Sequence, residues 1–145
     1  MQKKIDEGNP DIIDKIFTHT IDNFMELMND PFGNYLAQKL TECAKEDQLT
    51  EIVKRVKEDP VGLCRNSHGT RSIQKIIEVV KIPYQIDLLA SYLKCRVQVL
   101  AEDINGNHVF QKILFIWLPT HNQFIYDAMI QKCVEIACHK HGCCV

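Results

Sequence analysis

Three times along the chain, two polar side chains stand four residues apart with a flat side chain directly after the first. The sets are Asn34, Tyr35 and Gln38; Thr70, Arg71 and Gln74; and Asn107, His108 and Gln111. On a helix, residues i and i+4 share a face one turn apart. Asparagine and glutamine tips each carry an acceptor and a donor. The spacing therefore predicts two polar tips side by side, able to complement the Watson–Crick edge of a base. Such edges are open only in single strands, loops and ends. At the first set, Asn34 is expected to donate to one group of a base edge while Gln38 satisfies a second group on the same edge. Tyr35, Arg71 and His108 face slightly aside and can stack on bases, which adds affinity with little base preference. Lys39, Lys75 and Lys112 follow the glutamines and either contact phosphates or solubilise the helix edge. The competing use of these positions is a polar ladder tying neighbouring units. It accounts for recurrent glutamine but not for a recurrent planar residue.

The elements that position these residues are themselves repeated. Gly33, Gly69, Gly106 and Gly142 lie 36, 37 and 36 residues apart, and the first three open a Gly-x-x-x-x-Gln-Lys segment. A period of this size signals stacked supersecondary units. Each of the first three glycine segments leads into a helical stripe: Leu36, Leu40 and Cys43; Ile73, Ile76, Ile77 and Val80; Val109, Phe110, Ile113, Leu114 and Ile116. Pro31 is placed in the first turn of such a helix, where its missing donor is harmless. A second long helix follows at about residues 47–57, after Pro83, and around residues 123–131. Short apolar segments at 61–64, 97–101 and 134–138 precede the next glycine. One unit cannot bury its own apolar faces, so stacked units share a core. The expectation is an all-α, right-handed α-solenoid of three-helix, armadillo-like repeats, one helix of each unit forming an inner wall. The glycines are expected to permit a tight helix start and close packing rather than ligand binding. The first 20 residues either cap the array or end an earlier unit. Residues 1–145 read as part of a longer array, with three complete units and the start of a fourth.

Composition narrows the function classes. An apolar share of 46% with 25% charged residues fits a folded protein rather than a disordered one. The formal charge of −2 excludes a broadly basic coat but leaves room for a reader confined to one face. No apolar run reaches the ~20 residues of a membrane span, and the start lacks an apolar leader segment. Seven cysteines, an odd number, suggest reduced and mostly buried thiols rather than a disulfide framework. Cys138, His139, His141, Cys143 and Cys144 crowd together, but their spacing is too compressed for zinc, so no metal or other cofactor is expected. The histidines, Asp103 and the cysteines form no repeated acid–base set, and no catalytic residue is assigned.

The segments FGNYLAQKL, HGTRSIQKII, NGNHVFQKIL and KHGCCV closely resemble the Pumilio-type, or PUF, RNA-binding repeats, over nearly the whole chain from about Ile21. Their order and spacing are similar to repeats two to five of an eight-repeat domain. The resemblance implies edge reading by Asn34 with Gln38, Thr70 with Gln74, and Asn107 with Gln111, and stacking by Tyr35, Arg71 and His108. In the fourth unit it assigns Cys143 to the edge and Cys144 to stacking, the glutamine falling beyond Val145; a cysteine departs from the usual planar stacker. It further implies a monomer that binds single-stranded RNA antiparallel to the protein, reading roughly 5′-AUAU-3′. The family's usual setting is the cytoplasm, on mRNA 3′ untranslated regions, with repression or deadenylation proteins recruited on the outer face. The alternatives are a nucleolar branch that binds ribosomal RNA precursors and a protein-binding helical scaffold. None of these is an enzyme.

Overall fold

The computed structural model describes residue 5 and residues 8–145. Among these, the regular elements are helical and no strand occurs. The elements are α1 (Pro10–Thr20), α2 (Phe24–Asn29), α3 (Gly33–Cys43), α4 (Glu46–Val56), α5 (Pro60–Arg65), α6 (Gly69–Val79), α7 (Pro83–Leu93), α8 (Val97–Ala101), α9 (Gly106–Ile116), α10 (Pro119–Gln131) and α11 (Cys133–Ala137). Single 3-10 turns lie at Ile21–Asn23, Lys94–Arg96 and Gly142–Cys144.

Proline and acidic side chains set where several of these helices begin. Pro10, Pro60, Pro83 and Pro119 each sit in the first turn of a helix, where no intrahelical donor is lost. Asn9 and Asp59 cap α1 and α5 by accepting from the backbone N–H of Asp11 and Gly62. Pro31 departs from the expectation. It lies in a two-residue turn ahead of α3, because the Asp30 carboxylate, not the proline, organises that helix start.

The helices form three rows. The glycine-led helices α3, α6 and α9 pack side by side as one wall. Helices α4, α7 and α10 form the opposite wall, and the short helices α2, α5 and α8 join the two. Helix α1 is tied to α4 through Asp14, which accepts from Lys45 and Gln48. Gln85, the counterpart of Gln48, ties α7 to α4, and His121, at the same place in α10, meets Asp87 of α7. Helix α1 thus occupies an outer-wall place and, with α2, completes an outer-plus-short pair. Residues 1–4, 6 and 7 of the proposed N-terminal cap lie outside the described residues.

The expected all-α solenoid therefore forms, with a continuous core running between the walls. Ile52, Val53, Ile76, Leu89, Phe110 and Ile113 are fully buried, each contributing roughly 1.5–3 kcal/mol of burial. Two side chains of the expected stripes lie outside it: Cys43 and Ile116 are exposed because each ends its helix. The cysteines correct a second expectation. All seven are free, but only Cys64 is buried, burial also pushing its thiol well above the ordinary range. The others stand at helix ends and turns, beyond the reach of the core.

Candidate nucleic-acid interface

The inner wall is built from a start signal that recurs in each unit. Three residues ahead of each glycine, the Oδ1 of Asp30, Asn66 or Asp103 accepts two backbone N–H groups: Phe32 and Gly33, His68 and Gly69, Asn105 and Gly106. In the fourth unit the His139 ring takes that place, its Nδ1 facing the His141 N–H at 3.3 Å. These donors are unsatisfied at any helix start. The Gly33 and Phe32 amides hold the Asp30 carboxyl below its usual range. For Asp103, burial pushes the other way, but the Gly106 and Asn105 amides and the Arg65 guanidinium outweigh it. The glycine Cα then rests against the carbonyl of the residue six before it, Leu27, Leu63, Leu100 or Ile136. None of these glycines has positive φ. Their role is close approach, as expected.

The next side chain reveals what the reading pairs look like. Asn34 is fully buried. Its Nδ2 donates to Asp30 O at 2.9 Å and Pro31 O at 3.0 Å, so both amide hydrogens are taken within the unit. Gln38 Nε2 donates to Asn34 Oδ1 at 3.0 Å. The third unit repeats this arrangement: Asn107 donates to Asp103 O and Ile104 O, and Gln111 Nε2 donates to Asn107 Oδ1 at 2.7 Å. In the second unit Thr70 Oγ1 donates to Asn105 O, and Gln74 Nε2 donates to Thr70 Oγ1. The two tips of each set therefore meet, but the expected donation from Asn34 to a base is not available in this state. The Asp30 and Asp103 carbonyls already accept from the Asn34 and Asn107 backbone N–H groups, and each asparagine side chain turns back to add a second donor there and to reach the carbonyl of the following residue. Only the glutamine retains an N–H and its Oε1 for another partner.

Tyr35, Arg71 and His108 stand beside these glutamines and are exposed, Tyr35 by 51%. Cys143 and Cys144 are exposed in the final 3-10 turn, where the Cys143 thiol faces Lys140 O. The three lysines have partners. Lys39 pairs with Glu42, Lys75 with Glu42 and Glu78, and Lys112 with Glu78. Carboxylate and ammonium thus alternate across the units, holding Glu78 below its usual pKa and Lys75 above its own. A phosphate at these lysines must compete with that ladder. Sequence reasoning passed over Asp30 and Asn66 and weighed Asp103 only as an acid–base candidate; their signal was an Asp or Asn three residues before each of the first three glycines. It also passed over Glu42 and Glu78, which recur nine residues after the glycine. Among the described residues, no three His, Cys, Asp or Glu side chains are placed to hold a metal ion.

In three units along one wall, then, a buried polar residue orients a half-buried glutamine beside a flat exposed side chain. The Pumilio-family RNA binding repeat matches residues 1–20, 23–56, 61–90, 96–130 and 132–145. The chain belongs to this family. It is 43% identical over its whole length to Pumilio homolog 9 of Arabidopsis thaliana, of which it covers 26%. It is similar to the Puf4 RNA binding domain, solved bound to an HO endonuclease RNA 3′ UTR recognition sequence. The TM-score is 0.96 and the identity 41%, over 99% of this chain and 44% of that one. The RNA-binding domain of yeast Puf5p, solved with AAT2 RNA, matches with a TM-score of 0.92 at 36% identity over 99% of this chain and 42% of that one. The chain spans about a quarter of the length of these curated Pumilio relatives.

Proposed function

We propose that this PUF chain binds single-stranded RNA along the wall of α3, α6 and α9, one base per unit, without catalysing a reaction. The observation that carries the reading is the common state of Gln38, Gln74 and Gln111. Each gives one N–H to the buried residue four positions back and keeps one N–H and one carbonyl oxygen. That donor–acceptor pair fits the O4 and N3–H of uracil and equally the N1 and N6–H of adenine. Discrimination between them then falls to residues 34, 70 and 107, which fix the amide's direction. Asn34 and Asn107 hold uracil-reading units and Thr70 an adenine-reading one. With Cys143 at the edge of an adenine-reading fourth unit, the target is 5′-AUAU-3′. Tyr35, Arg71, His108 and, more weakly, Cys144 stack between the bases.

The biological target we infer is an mRNA 3′ untranslated region, in the cytoplasm, for repression or decay. The Puf4 complex, solved with an RNA 3′ UTR recognition sequence, supports that class of ligand. Lys75 and Lys112 act first as ties between units and Lys39 as a partner of Glu42 in its own unit, and they reach phosphates by releasing these carboxylates.

The test rewrites one unit. In Gln38→Glu alone, the carboxylate meets the Asn34 carbonyl oxygen, acceptor against acceptor. Asn34→Ser removes that conflict, since a hydroxyl donates. The double substitution should shift preference from uracil toward guanine, whose N1–H and N2–H are both donors, by roughly 1–3 kcal/mol. Competition between RNAs differing only at the 3′ base of the target measures it. If neither protein distinguishes the base there, residues 34 and 38 are structural and the readout assignment fails.

A further inference from the structure

The repeat breaks at one place on the inner wall. Glu42 and Glu78 stand nine residues after their glycines, and each connects the lysine of its own unit to that of the next. In the third unit that position is Phe115. Its ring is 87% exposed and takes no part in the core. Phe115 follows His108 by seven residues, two turns further along the same face of α9. With Gln74, Gln111, His108 and Lys112 it lines a groove of about 310 Å³ between the second and third units. Lys112, bonded to Glu78 at 2.6 Å, meets no carboxylate at the position where Lys75 finds Glu78 in its own unit.

We propose that Phe115 is an additional RNA contact: its ring carries a nucleobase of the bound strand, with the Lys112 ammonium available to oxygen atoms of the same nucleotide. The inference rests on the RNA-binding reading above. Nucleic acid is the occupant that the lining chemistry selects. An amphipathic peptide helix needs a row of apolar side chains, and this groove offers one ring among two amides, an imidazole and an ammonium. Those groups match a base face, base edges and a phosphate.

The experiment titrates the chain and its variants, at fixed salt, with a single-stranded RNA that contains 5′-AUAU-3′ and short flanks. Phe115→Ala should weaken binding about tenfold, the scale of losing one base–aromatic stack, and Phe115→Tyr should keep it. Phe115→Glu, which restores the carboxylate of the first two units, should weaken RNA binding at least as much while leaving the thermal midpoint unchanged or higher. Abasic sites are then placed one by one along the RNA. At one position the difference between the chain and Phe115→Ala should vanish, which identifies the stacked base. Equal affinity for Phe115→Ala, or a loss independent of every abasic site, overturns the inference. The controls His108→Ala and Gln111→Ala separate the failures. If they weaken binding and Phe115→Ala does not, only the platform is wrong. If none of the three matters, RNA binding at this wall falls as well.

Discussion

Gly106 begins α9 with its Cα close to the Leu100 carbonyl, and a Cβ there would stand 2.7 Å from that oxygen. Two effects oppose each other in Gly106→Ala. Alanine is favoured over glycine by about 1 kcal/mol in a helix interior, though less at a first residue. The opposing atoms are backbone, so the short helix α8 must shift, and overpacking of this kind costs about 1–3 kcal/mol. The clash wins, and denaturant unfolding should show Gly106→Ala less stable by roughly 1–2 kcal/mol. A stabilised variant would show that the four glycines are helix starters without a packing role. Their positions were legible in the sequence because a backbone approach admits no other side chain. The state of Asn34 was not. Its spacing to Gln38 was plain, but the carbonyls of Asp30 and Pro31 become acceptors for its amide only once the turn ahead of α3 has formed.

Helix positions followed from proline and the 3.6-residue period, since those signals are local. The ladder Lys39–Glu42–Lys75–Glu78–Lys112 depends on how one inner helix sits against the next. No period within one unit contains that register, so the lysines read from sequence as candidate phosphate contacts. Isolated pairs this exposed contribute about 0–1 kcal/mol, and networks somewhat more. Glu78, held by both Lys112 and Lys75, has its carboxyl pKa depressed in the folded chain. A depressed carboxylate contributes stability above its unfolded pKa and loses it as pH falls through the folded one. Glu78→Gln should therefore cost about 1 kcal/mol near neutral pH, and the difference should shrink as pH drops below the usual carboxylate range. Denaturant midpoints of both proteins at several pH values measure this. A constant difference across that range means the substitution acts through packing. The same variant frees Lys112 and leaves Lys75 on Glu42 alone, so its RNA affinity should rise and depend more steeply on salt.

At the scale of the molecule, close contacts run within a unit or between neighbours. Stability is then nearly a sum of units and the interfaces between them. The interface positions differ along the stack. Leu93 and Val97 are buried, whereas their counterparts one period later, Met129 and Cys133, are half-buried and exposed. Tyr126, Ile130 and Val134 on the same end are 47%, 74% and 76% exposed. Continuing the chain after Val145 with a copy of residues 110–141 completes the fourth unit in register and places new helices over that face. Each kcal/mol so gained should raise the thermal midpoint by about 2–4 °C. Thiol alkylation followed by mass spectrometry gives a local readout. Cys95 should react in both proteins and Cys64, buried, in neither, while Cys133 should react in the chain and become protected in its extension. The extension also supplies a glutamine four residues after Cys143, the copy of Gln111. RNA affinity should therefore rise about tenfold, within the range of one added stacked and read base. A higher midpoint without that gain would leave the solenoid intact and remove the fourth unit from the reader. A protected Cys133 with no change in midpoint would mean that the units do not add.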